Sequence, residues 1–188
     1  MRVAPVTTSL RTAGATVWLT GLPSAGKTTL AFALADQLRA SGRDVEILDG
    51  DEIRTYLSAG LGFSREDRDT HVRRIGYVAE LLARHGVLVL VPVIAPYADT
   101  RDEVRARHAA QGTPHLQVHL STPVEVCADR DVKGLYAKAA RGEISHMTGI
   151  DDPYEVPADP DLRLDTSTHD LQGSVSALLD LLAGRNLL

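Results

Sequence analysis

The sequence predicts an α/β domain: a central, mostly parallel five-stranded sheet flanked by helices in three layers. Two observations carry this. Apolar runs of strand length alternate along the chain with segments whose apolar residues recur at helical spacing, as in a parallel sheet wrapped by helices. The first run, in "TVWLTGLPSAGKTTLAFALADQL", stops at Gly21 and gives way to a glycine-containing loop and then a helical face. With 188 residues, 44% apolar and 24% charged, the chain suits one domain with a single core.

Val17 to Thr20 reads as a buried strand, and Leu30, Ala31, Leu34, Ala35 and Leu38 form one helical face after the loop. Val45 to Leu48 is a second short strand, and "EIRTYLSAG" a short helix ended by Gly60. Ser64, with Asp67 three residues on, opens a longer helix whose buried stripe is Ile75, Val78, Ala79 and Leu82. "VLVLVPVI" is the most buried strand, with Pro92 marking an edge or a strand terminus because proline cannot donate to a ladder. Asp99 to Gln111 reads as a charged surface helix, "LQVHL" as a fourth strand, and Pro123 as the start of another helix. From Arg130 to Pro160 the periodicity is mixed and the segment reads as a mobile lid. "LRLDT" is the fifth strand, and Leu171, Val175, Leu178, Leu179 and Leu182 make a closing amphipathic helix. Residues 1–14 read as a frayed arm without a signal-peptide core, and 15–188 as one domain with its lid at about 130–160.

A net charge of −5 argues against broad nucleic-acid or anionic-membrane binding, so any polyanion must meet a local basic site. No run approaches a membrane span. The single cysteine, Cys127, excludes an internal disulfide and fits packing in a reducing compartment, which points to the cytoplasm. The seven histidines show no metal-ligand spacing.

The loop Gly21, Leu22, Pro23, Ser24, Ala25, Gly26, Lys27, Thr28 fits G-x-x-x-x-G-K-[ST], with Thr29 following. Small residues there turn backbone N–H groups inward at a helix N-terminus, a nest for phosphate. Lys27 then reaches the β and γ phosphates of a nucleotide, and the Thr28 hydroxyl completes Mg²⁺ coordination. A plain strand-to-helix turn with a solvated lysine is the alternative. The guanine-reading asparagine of a switch GTPase is missing, since Asn186 is the only asparagine. The buried strand "VLVLVPVIAPY" also ends without the acid that motor and transport ATPases place there. A small phosphotransferase with a basic lid remains. In "DGDEIR", Asp51 is placed to orient an acceptor hydroxyl and take its proton, with Asp49 supporting the metal; the competing reading makes Asp51 a helix N-cap.

Together "DGDEIR", "LGFSREDRDTHVRRIG", "IAPYADTR", "VCADRDVKGLYAKAARGEI" and "TGIDDPYE" resemble the adenylyl-sulfate kinases, in order from about Thr16 to Thr166. The resemblance implies a P-loop kinase fold and MgATP-dependent phosphorylation of the 3′-hydroxyl of adenosine 5′-phosphosulfate (APS), in sulfate assimilation, by a homodimer. It implies an acceptor site of Asp51, Arg54, Phe63, Arg68, His71, Ile94, Ala95 and Pro96, with Arg54 and Arg68 facing the phosphosulfate and Phe63 stacking on adenine. Lid residues Arg130, Lys133 and Lys138 would close over both substrates, Arg130 on the ATP side; Lys133, Gly134 and Leu135 lie beside the acceptor. Phe63, in the polar stretch "LGFSRED", has a hydrophobic staple as its rival role. His71 stands where the family usually has asparagine, Met147 where a second phenylalanine covers the acceptor base, and Ala95 where serine precedes "PY"; direct transfer from ATP follows, since Ala95 cannot carry a phosphate. Two other readings stay open: a kinase of this fold with another hydroxyl acceptor, and a catalytically silent nucleotide-binding regulator, against which Lys27, Thr28, Asp49 and Asp51 stand.

Overall fold

In the computed structural model, which describes residues 13–188, five parallel strands form one sheet in the order β2-β3-β1-β4-β5. The expected N-terminal arm falls almost wholly outside the described residues. The strands are β1 (Ala15–Gly21), β2 (Val45–Ile47), β3 (Leu88–Pro92), β4 (His115–Leu120) and β5 (Leu162–Leu164). Among the described residues seven helices accompany them: α1 (Lys27–Ala40), α2 (Gly50–Tyr56), α3 (Arg65–Arg84), α4 (Ala98–Ala110), α5 (Val124–Arg130), α6 (Leu135–Ala140) and α7 (Leu171–Gly184).

The central strands read as unbroken apolar runs because both sheet faces are covered. Alternate residues of β1 and β3 serve opposite layers, as the two-residue strand period requires. Val17, Leu19, Leu88 and Leu90 pack with Leu30, Leu34, Leu178 and Leu182 of α1 and α7. Trp18, Val89 and Val91 pack with Ile75, Ala79 and Val104 of α3 and α4. Each fully buried Leu or Ile contributes roughly 1.5–3 kcal/mol.

Pro92 ends β3, paired in register with Leu19, and the strand lies inside the sheet; the terminus reading holds and the edge reading does not. The Ser64 cap is present: its Oγ accepts from the Asp67 amide at 3.2 Å and donates to the Asp67 carboxylate at 2.9 Å. Within 130–160 the aperiodic sequence concealed α6, whose first-turn amides at Tyr136 and Ala137 donate to the Asp131 carboxylate at 3.0 and 2.9 Å. The second half of that segment is pinned. Arg68 donates to Thr148 Oγ1 at 3.0 Å and to the His146 carbonyl, and it faces Asp152 at 3.7 Å.

Candidate active site

The carboxyl ends of β1, β2, β3 and β5 open into one cavity of about 460 Å³, within the usual range for small-molecule sites. It lies where the chain leaves β1 and β3, neighbours in the sheet but not in sequence, which is where open α/β sheets bind ligands.

The loop after β1 forms one wall. Gly21 (φ +153°) and Gly26 (φ +96°) hold backbone angles that L side chains rarely adopt, and a Cβ at Gly21 would lie 2.6 Å from the Leu120 carbonyl. Helix α1 starts at Gly26 with no capping side chain and no acid in its first turn, leaving its N–H groups and dipole free for an anion. Lys27 is nearly buried, and its ammonium donates to the Gly21 and Leu22 carbonyls at 2.9 and 2.7 Å. Burial, with Lys133 adding to it, lowers its pKa to about 8, partly opposed by the Asp51 and Asp49 carboxylates.

Asp49, at the end of β2, ties this wall to the next. One carboxylate oxygen accepts from Thr28 Oγ1 at 2.8 Å and the other from the Asp51 amide at 2.9 Å. Asp49 is therefore the N-cap of α2, and the Asp51 carboxylate, free of that duty, pairs with Lys133, between α5 and α6. Thr28 and Asp49 supply hard oxygen donors beside the anion nest, a set that suits Mg²⁺ completed by water and phosphate.

Arg54 donates to the Gly62 carbonyl at 2.9 Å, and its guanidinium lies 4.9 Å from the Phe63 ring centre; Arg68 lies 5.6 Å from the same ring. Phe63 is 57% exposed, and the residue a staple would need as its apolar partner is Arg68, so the staple reading fails. Desolvation, then Arg68, lowers the pKa of Arg54. His71 bonds Ser58 Oγ through Nδ1 at 2.9 Å, and burial together with Arg54 pushes its pKa down to about 4, leaving a neutral ring at pH 7. Ile94, Ala95 and Pro96, after β3, complete this half.

Of the residues singled out from the sequence, Pro23, Ser24, Gly26, Lys27, Thr28, Thr29, Asp49, Asp51, Arg54, Phe63, Arg68, His71, Ile94, Ala95, Pro96, Arg130, Lys133 and Leu135 line this one cavity. Gly21, Leu22 and Ala25 stand behind it, and Gly134 caps α6 in a left-handed conformation. Met147 does not line it. It is 5% exposed and belongs to the core cluster beneath the α1–α7 face, so it does not form the second side of a sandwich with Phe63. Arg68 is also less free than expected, since its Nε donates to the Phe63 carbonyl at 2.8 Å while its terminal nitrogens hold His146 and Thr148. Sequence reasoning missed the wall beyond β5, where Thr166, His169 and Leu171 face Arg130. Arg130 donates to Thr166 Oγ1 and to the Thr166 carbonyl at 2.7 and 2.8 Å. The available signal was Thr166's place at the carboxyl end of a strand in a sheet already assigned a site at that edge.

The chain is similar to proteins of known family. Residues 13–165 match the family model described as adenylylsulphate kinase. The adenylyl-sulfate kinase of Chloroflexus aurantiacus is 55% identical over 179 residues, 95% of this chain and 92% of its own. The APS kinase of Mycobacterium tuberculosis in complex with AMPPNP and APS superposes with a TM-score of 0.88 at 46% identity, covering 91% of this chain and 98% of that one. The hexameric APS kinase of Thiobacillus denitrificans gives 0.73 at 36% identity, with 97% of this chain covering 31% of that one. A phosphate loop, an acidic turn and a cationic aromatic pocket opening on one cavity thus stand in a chain 36 to 55% identical to these enzymes over most of its length, and the chain belongs to the adenylylsulphate kinase family.

Proposed function

We propose that the chain transfers the γ-phosphoryl group of ATP to the 3′-hydroxyl of APS, giving 3′-phosphoadenosine 5′-phosphosulfate and ADP. One observation carries the reading: the phosphate-loop wall and the Arg54–Phe63 wall open on a single cavity, with Asp49 and Asp51 between them. The donor half is built from the β1 loop, Arg130 and Thr166, and the acceptor half from Arg54, Phe63 and the Ile94–Pro96 loop. Five cations, Lys27, Arg54, Arg68, Arg130 and Lys133, line it in a protein of net charge −5. Such local concentration is what two polyphosphorylated or sulfated ligands require.

In this reading the Lys27 ammonium exchanges its two carbonyl partners for the β and γ phosphates, and the α1 N–H groups hold the same oxygens. Mg²⁺, held by Thr28 and Asp49, supplies charge neutralisation on the phosphates when bound. Asp51 orients the 3′-hydroxyl in line and accepts its proton, having first released Lys133. Ala95 has no oxygen to phosphorylate, so transfer is direct. The segment 130–160 acts as the lid: Lys133 and Val132 are exposed at its start, while Met147 and Thr148 anchor its end. No helix among the described residues is long and apolar enough to cross a membrane, and a homodimer in the cytoplasm completes the proposal. Self-assembly of the hexameric relative supports association in general, and sedimentation velocity tests the dimer.

A coupled assay of ADP release tests the reaction. Rapid release with APS, and only background with AMP, other nucleotides or no acceptor, is the expected result. Turnover on a different hydroxyl acceptor, or none with any, overturns the assignment.

A further inference from the structure

We infer that Arg101, on the far side of the acceptor loop from the substrates, is a positioning residue that sets the shape of the acceptor half-site. The inference rests on the assignment of that half to APS. Ala95 lines the cavity with φ +44°, a left-handed conformation that a non-glycine residue keeps only where its surroundings over-determine it. The structure shows what does so. Arg101 is 2% exposed and lies one turn into α4; its Nη1 donates to the Ala95 carbonyl at 2.7 Å and its Nη2 to the Glu155 carbonyl at 2.6 Å. One guanidinium fork thus joins the acceptor loop to the chain that returns from the lid.

The same two segments are joined at further points. The Glu155 amide donates to the Pro96 carbonyl at 2.9 Å, and its carboxylate accepts from the Ala98 amide at 2.6 Å, capping α4. Thr20 Oγ1 donates to the Ile94 carbonyl and lies 3.0 Å from the Tyr154 hydroxyl. Arg101 sits 5.9 Å from the Tyr154 ring centre and its Nε, buried, has no hydrogen-bond partner. Burying a guanidinium against main-chain carbonyls is costly for overall stability, and stability alone would favour an apolar side chain there. What the fork supplies is fixed geometry. It holds one carbonyl from each of two segments, so the Ile94–Pro96 wall and the chain around Glu155 keep one spacing as the lid moves.

The test compares Arg101→Met, Arg101→Lys and Glu155→Ala with the parent protein, by steady-state kinetics against both substrates and by hydrogen exchange. Arg101→Met should raise KM for APS by about tenfold or more, the scale of a sub-ångström misplacement, with KM for ATP changed less than about twofold. Arg101→Lys, able to reach one carbonyl, should recover part of the loss, and Glu155→Ala should show the same acceptor-side pattern. Exchange should rise in 94–98 and 153–156 but not in the 21–29 loop. Equal changes in both KM values, or a lysine variant no better than methionine, would show Arg101 to be structural filler. If the parent protein releases no ADP with APS, the functional assignment fails by itself, and the exchange pattern still decides whether Arg101 holds the loop.

Discussion

The free Lys27 ammonium satisfies itself on the Gly21 and Leu22 carbonyls, the same loop that would otherwise aim it at phosphate. Its pKa, lowered to about 8 by burial, fixes the sign of a pH effect. Phosphate beside the ammonium favours the charged form, so the bound-state pKa lies above the free one and binding takes up a proton in that window. ATP affinity should therefore be flat below about pH 8 and fall as pH rises through it, by at most about tenfold per unit. Calorimetry at pH 8.5 in two buffers of different ionisation enthalpy should detect proton uptake in the parent protein and none in Lys27→Met. In the apoprotein the sign is opposite: a depressed lysine pKa favours the folded state as pH rises from about 8 toward the ordinary lysine value of 10.5. A few residues on, the cap and the base separate. Because Asp49 holds the α2 amide, Asp51→Asn should leave the melting temperature unchanged and lower kcat by roughly 10²-fold or more, whereas Asp49→Ala should cost about 1 kcal/mol of stability. Melting curves and kcat measured on both variants separate the roles; an Asp51→Asn protein that melts early with normal turnover would return Asp51 to a structural part.

At the scale of elements, the segment 130–160 behaves as two pieces. Its first part offers Val132, 78% exposed, and Lys133, which pairs with Asp51. A salt bridge between two exposed side chains is worth at most about 1 kcal/mol, so substrates can displace it readily. Helix α6 is tied to the phosphate loop by the Tyr136 hydroxyl, which donates to the Pro23 carbonyl at 3.1 Å. The later part carries buried Met147 and Thr148 and the Arg68 and Asp151 bonds, with the Asp151 carboxylate accepting from the His146 amide at 2.7 Å and from the Met147 amide. Hydrogen exchange should therefore show 131–145 labile in the apoprotein and protected when both nucleotides bind, with 146–156 protected throughout. Uniform protection across the whole segment without ligand would contradict a moving lid.

For the whole molecule, one ligand bridging β1, β2 and β5 should stabilise the fold as a unit. MgATP at a hundredfold excess over its Kd adds about 2.7 kcal/mol, a rise in Tm of roughly 5–11 °C for a domain of this size. Thermal melts should show that rise and its near loss in Lys27→Ala; an unshifted variant curve would detach Lys27 from the phosphates. The layers, the strand sequence and the phosphate loop were legible in the chain because each is local: period-two and period-3.6 patterns, and a loop whose glycines and lysine are contiguous. The acidic turn and the arginine-phenylalanine pocket were legible too, carried by contiguous blocks that resemble one family. Three things were settled only by the packed structure. Met147 is buried in the core cluster rather than set beside Phe63, because burial depends on which side of the irregular 146–156 segment meets the α1–α7 layer. The wall at Thr166 joins the site because sheet order places β5 two strands from β1, a fact that no local pattern contains. Arg101 joins the nearby Ala95 carbonyl to that of Glu155, more than fifty positions away along the chain, and a charge on a helix reads in sequence as a solvated face until such partners are placed.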